Sequence, residues 1–207
     1  EEQLLLLNSI KVWAQQNNVI SIFTRLNPLL NSSLPESSVE VENSGEVVVV
    51  DLTIPLDEQK KRYRKNYRNL INRLVKDGFE AYWDNSPESI DKFIQIYNET
   101  MDSLEASESY YFDRDYYDSL CKIEGAEVRF YFVSHDGEIT CGGIFVFYGD
   151  FVHYHLSGTK AEFKRVAPNR LMIDKVRIDA TEMGKKSFLL GGGLGGMRDS
   201  LFDFKFG

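Results

Sequence analysis

Three consecutive strand-like segments, separated only by short turns, constrain the fold of this chain more than any other feature. Segments 128–133, 139–148 and 151–157 are rich in β-branched and aromatic residues, which favour β-strands. An Asp-Gly turn at 136–137 separates the first two segments, and a Gly-Asp turn at 149–150 separates the second and third. Because strands joined by turns this short can pair only in antiparallel fashion, the sequence predicts an antiparallel meander.

Helical segments lie before and after this meander. They carry apolar residues at intervals of three and four, and capping residues or glycines mark several of their ends. The predicted elements are helices at 57–76, from Ser86, from Asp113 and at 169–183, a strand at 187–190, and a last helix from Asp199. This order of elements predicts an α+β fold in which helices flank a mixed central sheet.

The N-terminal part of the chain reads as the end of a separate domain. It holds a predicted helix at 1–16, strands at 19–23 and 46–52, and a polar loop at 31–38. These pieces are too few for a complete domain. We therefore expect a remnant of a first domain at 1–52 and most of a second domain at 53–207, shortened at its C-terminus.

The composition excludes several classes of protein. The net charge of −8, from 24 basic and 32 acidic residues, is unfavourable for general binding to DNA. The two cysteines, Cys121 and Cys141, do not have the spacing of a disulfide framework or of a zinc site. No run of apolar residues approaches the roughly 20 that a membrane-spanning helix needs. We therefore expect a globular, cytoplasmic protein without a metal or a transmembrane segment.

The glycine-rich loop at 191–196 formally matches the G-x-G-x-x-G pattern of dinucleotide-binding folds. That pattern belongs to a parallel βαβ unit, whereas an antiparallel meander is predicted ahead of this loop. A nicotinamide site is therefore not favoured. Two interpretations stay open: the loop is a flexible turn, or its bare backbone lets a long substrate pass close to the sheet.

Two regions are locally basic in an otherwise acidic chain. Segment 60–76 holds eight lysines and arginines and no acidic residue, and Lys160, Lys164 and Arg165 precede the predicted helix at 169–183. Since a helix N-terminus also carries partial positive charge, the sequence predicts a phosphate site where this helix begins. The alternative for both regions is a basic surface that faces solvent.

His153 and His155 flank Tyr154 on a predicted strand, so their two imidazoles lie on one face of the sheet. A metal site would need a third ligand, and none lies near them in the sequence. Packing or contact with a substrate is the interpretation that we favour.

Four groups of segments follow the order of motifs in a known family. Residues 19–30 resemble its VSxFxRxxPLL stretch, 64–73 with 76–78 are similar to its KNxRxxIRKAxKxG helix, 154–159 with 167–173 resemble its strand-to-helix junction, and 190–193 with 199–207 resemble its closing LGGG…DSLFxFKxGF signature. On these residues the chain resembles the Fem-type, or FemAB-like, peptidyltransferases, which build peptidoglycan cross-bridges on an acetyltransferase-like (GNAT) fold.

The resemblance implies the fold and the chemistry of an acyltransferase. It implies a GNAT-like fold in which two parallel strands, 151–157 and 187–190, splay apart and leave a wedge for the arm of the donor. The donor phosphate would lie near 168–170, and backbone N–H groups of the splayed strand would stabilise the oxyanion of the tetrahedral intermediate. The incoming amine then attacks the donor carbonyl, and positioning contributes more than a dedicated base.

The resemblance leaves the donor open between acyl-CoA and aminoacyl-tRNA. The loop typical of CoA-dependent acetyltransferases does not occur between Thr159 and Asn169, which is unfavourable for CoA, and charged tRNA is the donor of the bridge-forming relatives. Lys205 occupies a position that resembles a lysine implicated in the family's activity. The alternative is a surface lysine whose stem covers Phe204 and Phe206 while its charge reaches water.

The resemblance further implies an amine acceptor on a peptidoglycan or polysaccharide precursor, either a small molecule or a lipid-linked glycan or peptide. We expect the protein to lie in a bacterial-type cytoplasm, either free or at the inner face of the membrane. The alternative is a non-catalytic module that uses the same fold to bind a ligand. The predicted site residues are Lys205, His155 and Tyr154 for catalysis; Ser157, Gly158, Thr159, Pro168, Asn169, Arg170, Gly191, Gly192 and Gly193 for the donor; and Arg64, Lys65 and Arg68 for the substrate.

Overall fold

The computed structural model describes residues 2–24, 26–29, 40 and 42–207. The chain divides into two compact units, Glu1–Gly45 and Glu46–Gly207.

The first unit contains helix α1, Glu2–Gln16. The strand predicted at 19–23 is wrong, because the chain is irregular there and no described segment of this unit forms a strand that could pair with it. An isolated strand leaves its backbone groups without partners. The polar loop predicted at 31–38, and part of the motif at 19–30, lie outside the described residues.

The second unit is a six-stranded mixed sheet with helices on both of its faces. Its elements in chain order are β1 (Val48–Asp51), α2 (Leu56–Arg62), α3 (Lys65–Lys76), β2 (Glu80–Trp83), α4 (Pro87–Ser103), α5 (Arg114–Leu120), β3 (Ala126–His135), β4 (Glu138–Tyr148), β5 (Phe151–Thr159), α6 (Asn169–Glu182), β6 (Ser187–Gly191) and α7 (Ser200–Phe206). The strands lie in the order β1-β6-β5-β4-β3-β2, and every neighbouring pair is antiparallel except β5 and β6, which are parallel. This arrangement confirms the predicted α+β fold with a mixed central sheet.

The predicted meander is formed by β3, β4 and β5. Asp136 and Gly137 both have positive φ, 50° and 78°, which matches the two-residue hairpin turns that follow the twist of the strands. β4 pairs with β3 on one side and β5 on the other. It is therefore the central strand of the meander, and its residues from Thr140 to Phe145 are all buried.

Two apolar clusters hold helices against opposite faces of the sheet. On one face α6 packs Met172 and Val176 against the strands, with α3 beside it. On the other face α4 contributes Phe93 and α5 contributes Tyr117. All four side chains are fully buried. Because burying an apolar side chain of this size contributes about 1.5–3 kcal/mol, these contacts determine where the helices lie.

The prediction of a single helix at 57–76 is wrong in one respect, because the chain forms two helices there. Helix α2 ends at Arg62 and α3 begins at Lys65, with extended backbone at Tyr63 (ψ 141°) between them. Tyr63 turns inward, and its hydroxyl donates to Oδ1 of Asp174 on α6 at 2.9 Å. This contact with a residue far along the chain outweighs the local preference for a continuous helix.

The same tyrosine belongs to a buried polar network that joins α2 to α6. Arg177 and Asp174 form an ion pair at 2.8 Å, and their relative exposures are only 2% and 5%. Arg177 also donates to the Tyr63 hydroxyl and to Oε1 of Gln59, both at 2.8 Å. Since each buried charge has partners, the pair avoids the large penalty of an isolated buried charge.

Two strands extend the sheet beyond the predicted elements of the second domain. The four-residue strand β2, which the sequence pattern does not predict, pairs antiparallel with β3. Strand β1 lies within the segment expected to belong to a first domain, 1–52, yet it pairs with β6 and is part of the sheet of the second unit. That the residues before β1 derive from another GNAT-like domain stays a prediction.

The close approach of α4 to β5 depends on Gly158. An added Cβ there would lie 2.8 Å from the carbonyl oxygen of Ile96 and 2.9 Å from Cα of Tyr97, both of which are backbone atoms of α4. We expect Gly158→Ala to lower the free energy of unfolding by about 1–3 kcal/mol, because the helix must move to make room. Urea denaturation measures this change, and an unaltered midpoint would contradict the steric role of this glycine.

Candidate functional site

The two parallel strands at the centre of the sheet separate after a short paired stretch. Pairing of β5 with β6 ends at His153 and Leu189, although β5 itself continues to Thr159. The register of β5 against β4 shifts between Tyr154 and Leu156, so that His155 is an extra residue in β5. Bulges of this kind bend a strand and redirect a side chain. The predicted divergence of the parallel strands is therefore confirmed, and we call the break in backbone pairing past His153 and Leu189 the opening between β5 and β6.

The side chain of Lys205 lies at this opening. Its Nζ donates to the carbonyl oxygen of Gly192, which directly follows β6, at 2.7 Å. The same atom lies 6.0 Å from the ring centroid of Tyr154 on β5. Burial lowers the pKa of Lys205, because the charged ammonium loses contact with water. A half-buried ammonium thus spans the two strands where their pairing stops.

Helix α7 presents Lys205 because Asp199 fixes the start of that helix. Oδ1 of Asp199 accepts from the backbone N–H of Phe202 at 2.9 Å, and Oδ2 accepts from the N–H of Leu194 at 3.0 Å. One carboxylate therefore holds both the helix and the glycine-rich loop ahead of it. Gly193 permits this contact, since an added Cβ would lie 2.3 Å from Oδ1 of Asp199.

The glycines of the loop are used for packing within the protein. A Cβ added to Gly192 would lie 2.5 Å from the carbonyl oxygen of Glu46, and one added to Gly191 would lie 3.3 Å from Nζ of Lys205. Gly191 also has a positive φ of 80°, which favours glycine. Close approach of other protein atoms therefore accounts for these glycines, and their role in binding a donor stays a prediction.

Tyr154 lies on β5 directly after the last residue that pairs with β6. Its ring stacks on Phe145 with centroids 5.0 Å apart, and its hydroxyl donates to Oγ of Ser157 at 2.5 Å. Burial raises the pKa of Tyr154 to about 12, so the phenol keeps its proton at neutral pH. The structure thus places two of the catalytic candidates, Tyr154 and Lys205, near each other, and their catalytic roles stay a prediction.

The two histidines of β5 lie beside each other, with ring centroids 6.1 Å apart. Burial lowers the pKa of His155 to about 4, and the neighbouring His153 adds to this effect. Desolvation and then the charge of Lys205 lower the pKa of His153 as well. His155 is therefore neutral at pH 7 and has a lone pair able to accept a proton. Its Nε2 lies 2.6 Å from the hydroxyl of Tyr116 on α5.

An arginine-lined cleft of about 540 Å³ lies between α3 and the start of α6. Its lining residues are Asn66, Asn69, Leu70, Arg73, Arg165, Ala167 and Arg170. The guanidinium of Arg170 lies 4.6 Å from the ring centroid of Tyr67 and 5.3 Å from that of Phe204, which holds it in place by cation–π contacts. Its buried Nε has no hydrogen-bond partner among the described residues. Three arginines facing one cleft can bind an anion such as a phosphate.

Among the residues predicted to bind the donor or the substrate, the structure brings Arg170 into this cleft, together with Arg165 from the basic group beside the predicted phosphate site. Arg64, Lys65 and Arg68 are not among the residues that line it.

Residues from the end of β5 face α4 or the interior of the protein instead. Gly158 packs against the α4 backbone, the N–H of Thr159 donates to Oγ1 of Thr100 on α4 at 3.0 Å, and Ser157 accepts the hydroxyl of Tyr154. Pro168 and Asn169 stand at the start of α6 but do not line the cleft. A donor role for these residues stays a prediction.

The sequence interpretation did not single out Asn66 or Asn69, and it counted Arg73 and Arg165 only among the basic residues of two broader regions. The lining of the cleft makes functional candidates of Asn66, Asn69, Arg73 and Arg165. The first three are spaced by three and four residues, which places them on one face of a helix. That spacing was the available signal. Arg165 belongs to the basic group that precedes the predicted phosphate site at the start of α6, and the structure places it in the lining of the cleft.

Within the part of the chain that the structure describes, no group of three His, Cys, Asp or Glu side chains could hold a metal ion. No helix in that part is long and apolar enough to cross a membrane.

Comparisons with known proteins agree on the fold. The chain matches the family model described as acetyltransferase (GNAT) domain over residues 61–204. Among solved structures it is similar to FemX, with 15% identity and a TM-score of 0.64 over 77% of this chain and 57% of that chain. A search of curated protein sequences finds no match.

Two further structures show the same likeness. One is the C-terminal domain assigned to a lysylphosphatidylglycerol synthetase of Agrobacterium fabrum, with 20% identity and a TM-score of 0.57. The other is L-PGS of Bacillus licheniformis, with 19% identity and a TM-score of 0.55. Each match covers 71% of this chain and 46% of the other. This chain thus spans about half the length of the structures that it matches.

The cleft can be tested with inorganic pyrophosphate as the probe. We expect the double variant Arg73→Gln/Arg165→Gln to bind pyrophosphate at least about tenfold more weakly, because hydrogen bonds to charged groups contribute about 1.5–3 kcal/mol each. Isothermal titration calorimetry measures the change. The matched control Arg62→Gln/Lys76→Gln removes the same charge from exposed positions outside the cleft. Equal weakening in both variants would show that only net charge matters and would contradict a defined site.

Proposed function

We propose, from the premise that this chain belongs to the acetyltransferase (GNAT) domain family, that it transfers an acyl or aminoacyl group to a primary amine. The acceptor that we propose is a precursor of the cell envelope, a peptidoglycan or polysaccharide unit that is either free or lipid-linked. The observation that carries the proposal is the opening between β5 and β6, with the ammonium of Lys205 at its edge.

The opening is suited to the reactive end of an acylated donor. In the described sheet no β6 residue pairs with β5 past His153, so backbone N–H groups on that side can donate to the carbonyl oxygen of a donor. Lys205 lies at the same opening, and its ammonium group can donate a charged hydrogen bond to the tetrahedral oxyanion as it forms. Hydrogen-bond donors that are already in position before the reaction usually make the largest single contribution to the catalysis of acyl transfer.

The arginine cleft supports a donor that carries phosphates. Both candidate donors, acyl-CoA and aminoacyl-tRNA, are polyanions with a long arm that ends in the acyl group. Because the loop typical of CoA-dependent enzymes does not occur between Thr159 and Asn169, we favour aminoacyl-tRNA. The cleft would then hold phosphates near the 3′ end, where charge and not base identity determines binding.

The chemical step needs few dedicated groups. The neutral amine of the acceptor attacks the donor carbonyl carbon, and an N–C bond forms while the C–O bond of an ester, or the C–S bond of a thioester, breaks. The amine loses a proton, for which His155 is the acceptor that we propose. The leaving oxygen or sulfur gains a proton, and Tyr154, which keeps its phenolic proton at neutral pH, lies at the opening to supply one. The rest of the rate acceleration comes from the positioning of donor and acceptor.

The cellular place of the reaction follows from its donors. Acyl-CoA and charged tRNA are cytoplasmic molecules, so we propose that transfer occurs in the cytoplasm. A lipid-linked acceptor would bring the reaction to the inner face of the membrane.

Replacement of Lys205 tests this function. We expect Lys205→Ala to lower the transfer of a labelled acyl group to an envelope precursor by about 10²–10³-fold, which is the usual cost of removing one donor to the oxyanion. The assay offers labelled aminoacyl-tRNA and acyl-CoA in parallel reactions. Lys185→Ala is a matched control, because Nζ of Lys185 also donates to a glycine carbonyl, that of Gly149, at 2.7 Å, but at an exposed site outside the opening.

Two results would contradict the proposal. Equal transfer by the wild type and Lys205→Ala would exclude the role of this lysine. Binding of pyrophosphate and of the donor without transfer, by a wild-type protein offered each donor class, would favour the alternative of a non-catalytic binding module.

A further inference from the structure

Tyr116 makes a contact with His155 that the reaction described so far does not use. The hydroxyl of Tyr116 on α5 and Nε2 of His155 on β5 lie 2.6 Å apart, which is a short hydrogen bond. The two residues are 39 positions apart in the sequence. Their contact joins the helical layer to the strand that borders the opening.

Tyr116 is held by one contact to its backbone and two contacts to its ring. Asp113 caps α5 and accepts from the backbone N–H of Tyr116 at 2.9 Å. The ring of Phe112 stacks on that of Tyr116 with centroids 4.1 Å apart and an interplanar angle of 17°. The ring of Tyr117 meets it edge to face at 5.3 Å. A side chain restrained in this way loses little further freedom when it holds a partner.

His155 is the residue that the bulge inserts into β5, and it follows the last residue pairs between β5 and β6. Its imidazole therefore belongs to the part of β5 that borders the opening. Among the described residues no hydrogen bond is formed by Nδ1 of His155, whereas Nε2 is taken by Tyr116. One ring nitrogen is thus occupied and the other is available.

We propose that Tyr116 is a positioning residue that holds the imidazole of His155 as the acceptor of the proton lost by the attacking amine. This role rests on the proposed acyl transfer. Tyr116 touches neither donor nor acceptor in this scheme and acts only through His155.

The proton transfer balances over the reaction. As the amine nitrogen bonds to the carbonyl carbon it becomes an ammonium, and one of its protons passes to Nδ1 of His155. The C–O or C–S bond of the donor breaks, and the leaving oxygen or sulfur takes a proton from the imidazolium, directly or through Tyr154. For Nδ1 to accept a proton, Nε2 must carry the hydrogen and donate it to the oxygen of Tyr116.

Other ionisable groups surround the pair. They are His153 on β5, Tyr97 on α4, Tyr117 on α5 and Lys205 on α7, which faces His153. The three tyrosines stay neutral near pH 7, because burial raises the pKa of Tyr97 to about 12 and also raises the pKa values of Tyr116 and Tyr117. The charge that bears on the histidines from these elements is therefore that of Lys205.

Tyr116→Phe tests the proposal, with two readouts. The first is the ¹⁵N NMR spectrum of histidine-labelled protein without substrate at pH 7: we expect His155 in the Nε2–H tautomer in the wild type, and exchange between both tautomers in the variant. The second is the pH profile of kcat. We expect a loss on the order of tenfold in the variant, smaller than the 10²–10⁴-fold that removal of a general base costs and that His155→Gln should show.

The pH dependence has a defined sign. If Tyr116 accepts from Nε2–H, it stabilises the imidazolium more than the neutral ring, so Tyr116→Phe moves the titration of His155 to lower pH. If Tyr116 instead donates to Nε2, the variant moves the titration to higher pH. Tyr111→Phe is the matched control, since it removes a phenol oxygen that is bonded to Oδ1 of Asp102 at 2.7 Å and does not contact His155.

The outcomes separate this inference from the proposed function. An Nδ1–H tautomer in the wild type, a shift to higher pH, or equal kcat in the wild type and Tyr116→Phe overturns the inference even if transfer occurs. Equal losses in Tyr116→Phe and Tyr111→Phe, with no change in the spectrum of His155, show a structural effect only and also overturn it. Absence of transfer by a wild type with the expected tautomer refutes the proposed function, and the catalytic use of the pair is refuted with it.

Discussion

The structure depends on the point at which β5 and β6 stop pairing. Parallel strands that separate expose backbone groups, which are costly to leave without partners. Here each strand keeps its other neighbour: β5 stays paired with β4 as far as Thr159, and β6 stays paired with β1 as far as Gly191. Lys205 closes the remaining edge with a hydrogen bond to Gly192. An opening in the middle of a sheet is therefore stable because both strands are held from outside, and β1 is essential to that arrangement.

Local patterns in the sequence were sufficient for most of the second unit. Hairpin turns predicted the meander, and Ser86 and Asp113 predicted the starts of α4 and α5, where each side chain accepts from a backbone N–H. The predictions failed where a contact between residues far apart in the sequence determines the local structure. The break between α2 and α3 reflects the bond of Tyr63 to Asp174, which lies 111 residues away, and β2 is too short for its pattern to be recognised without its partner β3.

The candidate site was only partly predictable for the same reason. The position of Lys205 came from a motif resemblance, since nothing in the local pattern distinguishes it from a surface lysine. The sequence left the glycine-rich loop open between a flexible turn and a path for a substrate. Atoms of Glu46 and Asp199 lie where a Cβ of Gly192 or Gly193 would be, and no spacing rule reveals such atoms. The contact of Tyr116 with His155 likewise joins segments that carry no mutual signal in the sequence.

The arginine cleft and the opening between β5 and β6 differ in charge, and this difference suits them to different parts of the proposed reaction. Arginines line the cleft at the start of α6, where permanent positive charge suits a phosphorylated donor. The opening instead holds neutral His155 and a half-buried Lys205 whose pKa is lowered by burial. An acceptor amine that enters beside Lys205 meets a like charge, which disfavours its ammonium form. Only a neutral amine can attack a carbonyl, so in the proposed reaction Lys205 would both stabilise the oxyanion and favour the reactive form of the acceptor. His155, although weakly basic, would then take the proton that is released as the bond forms.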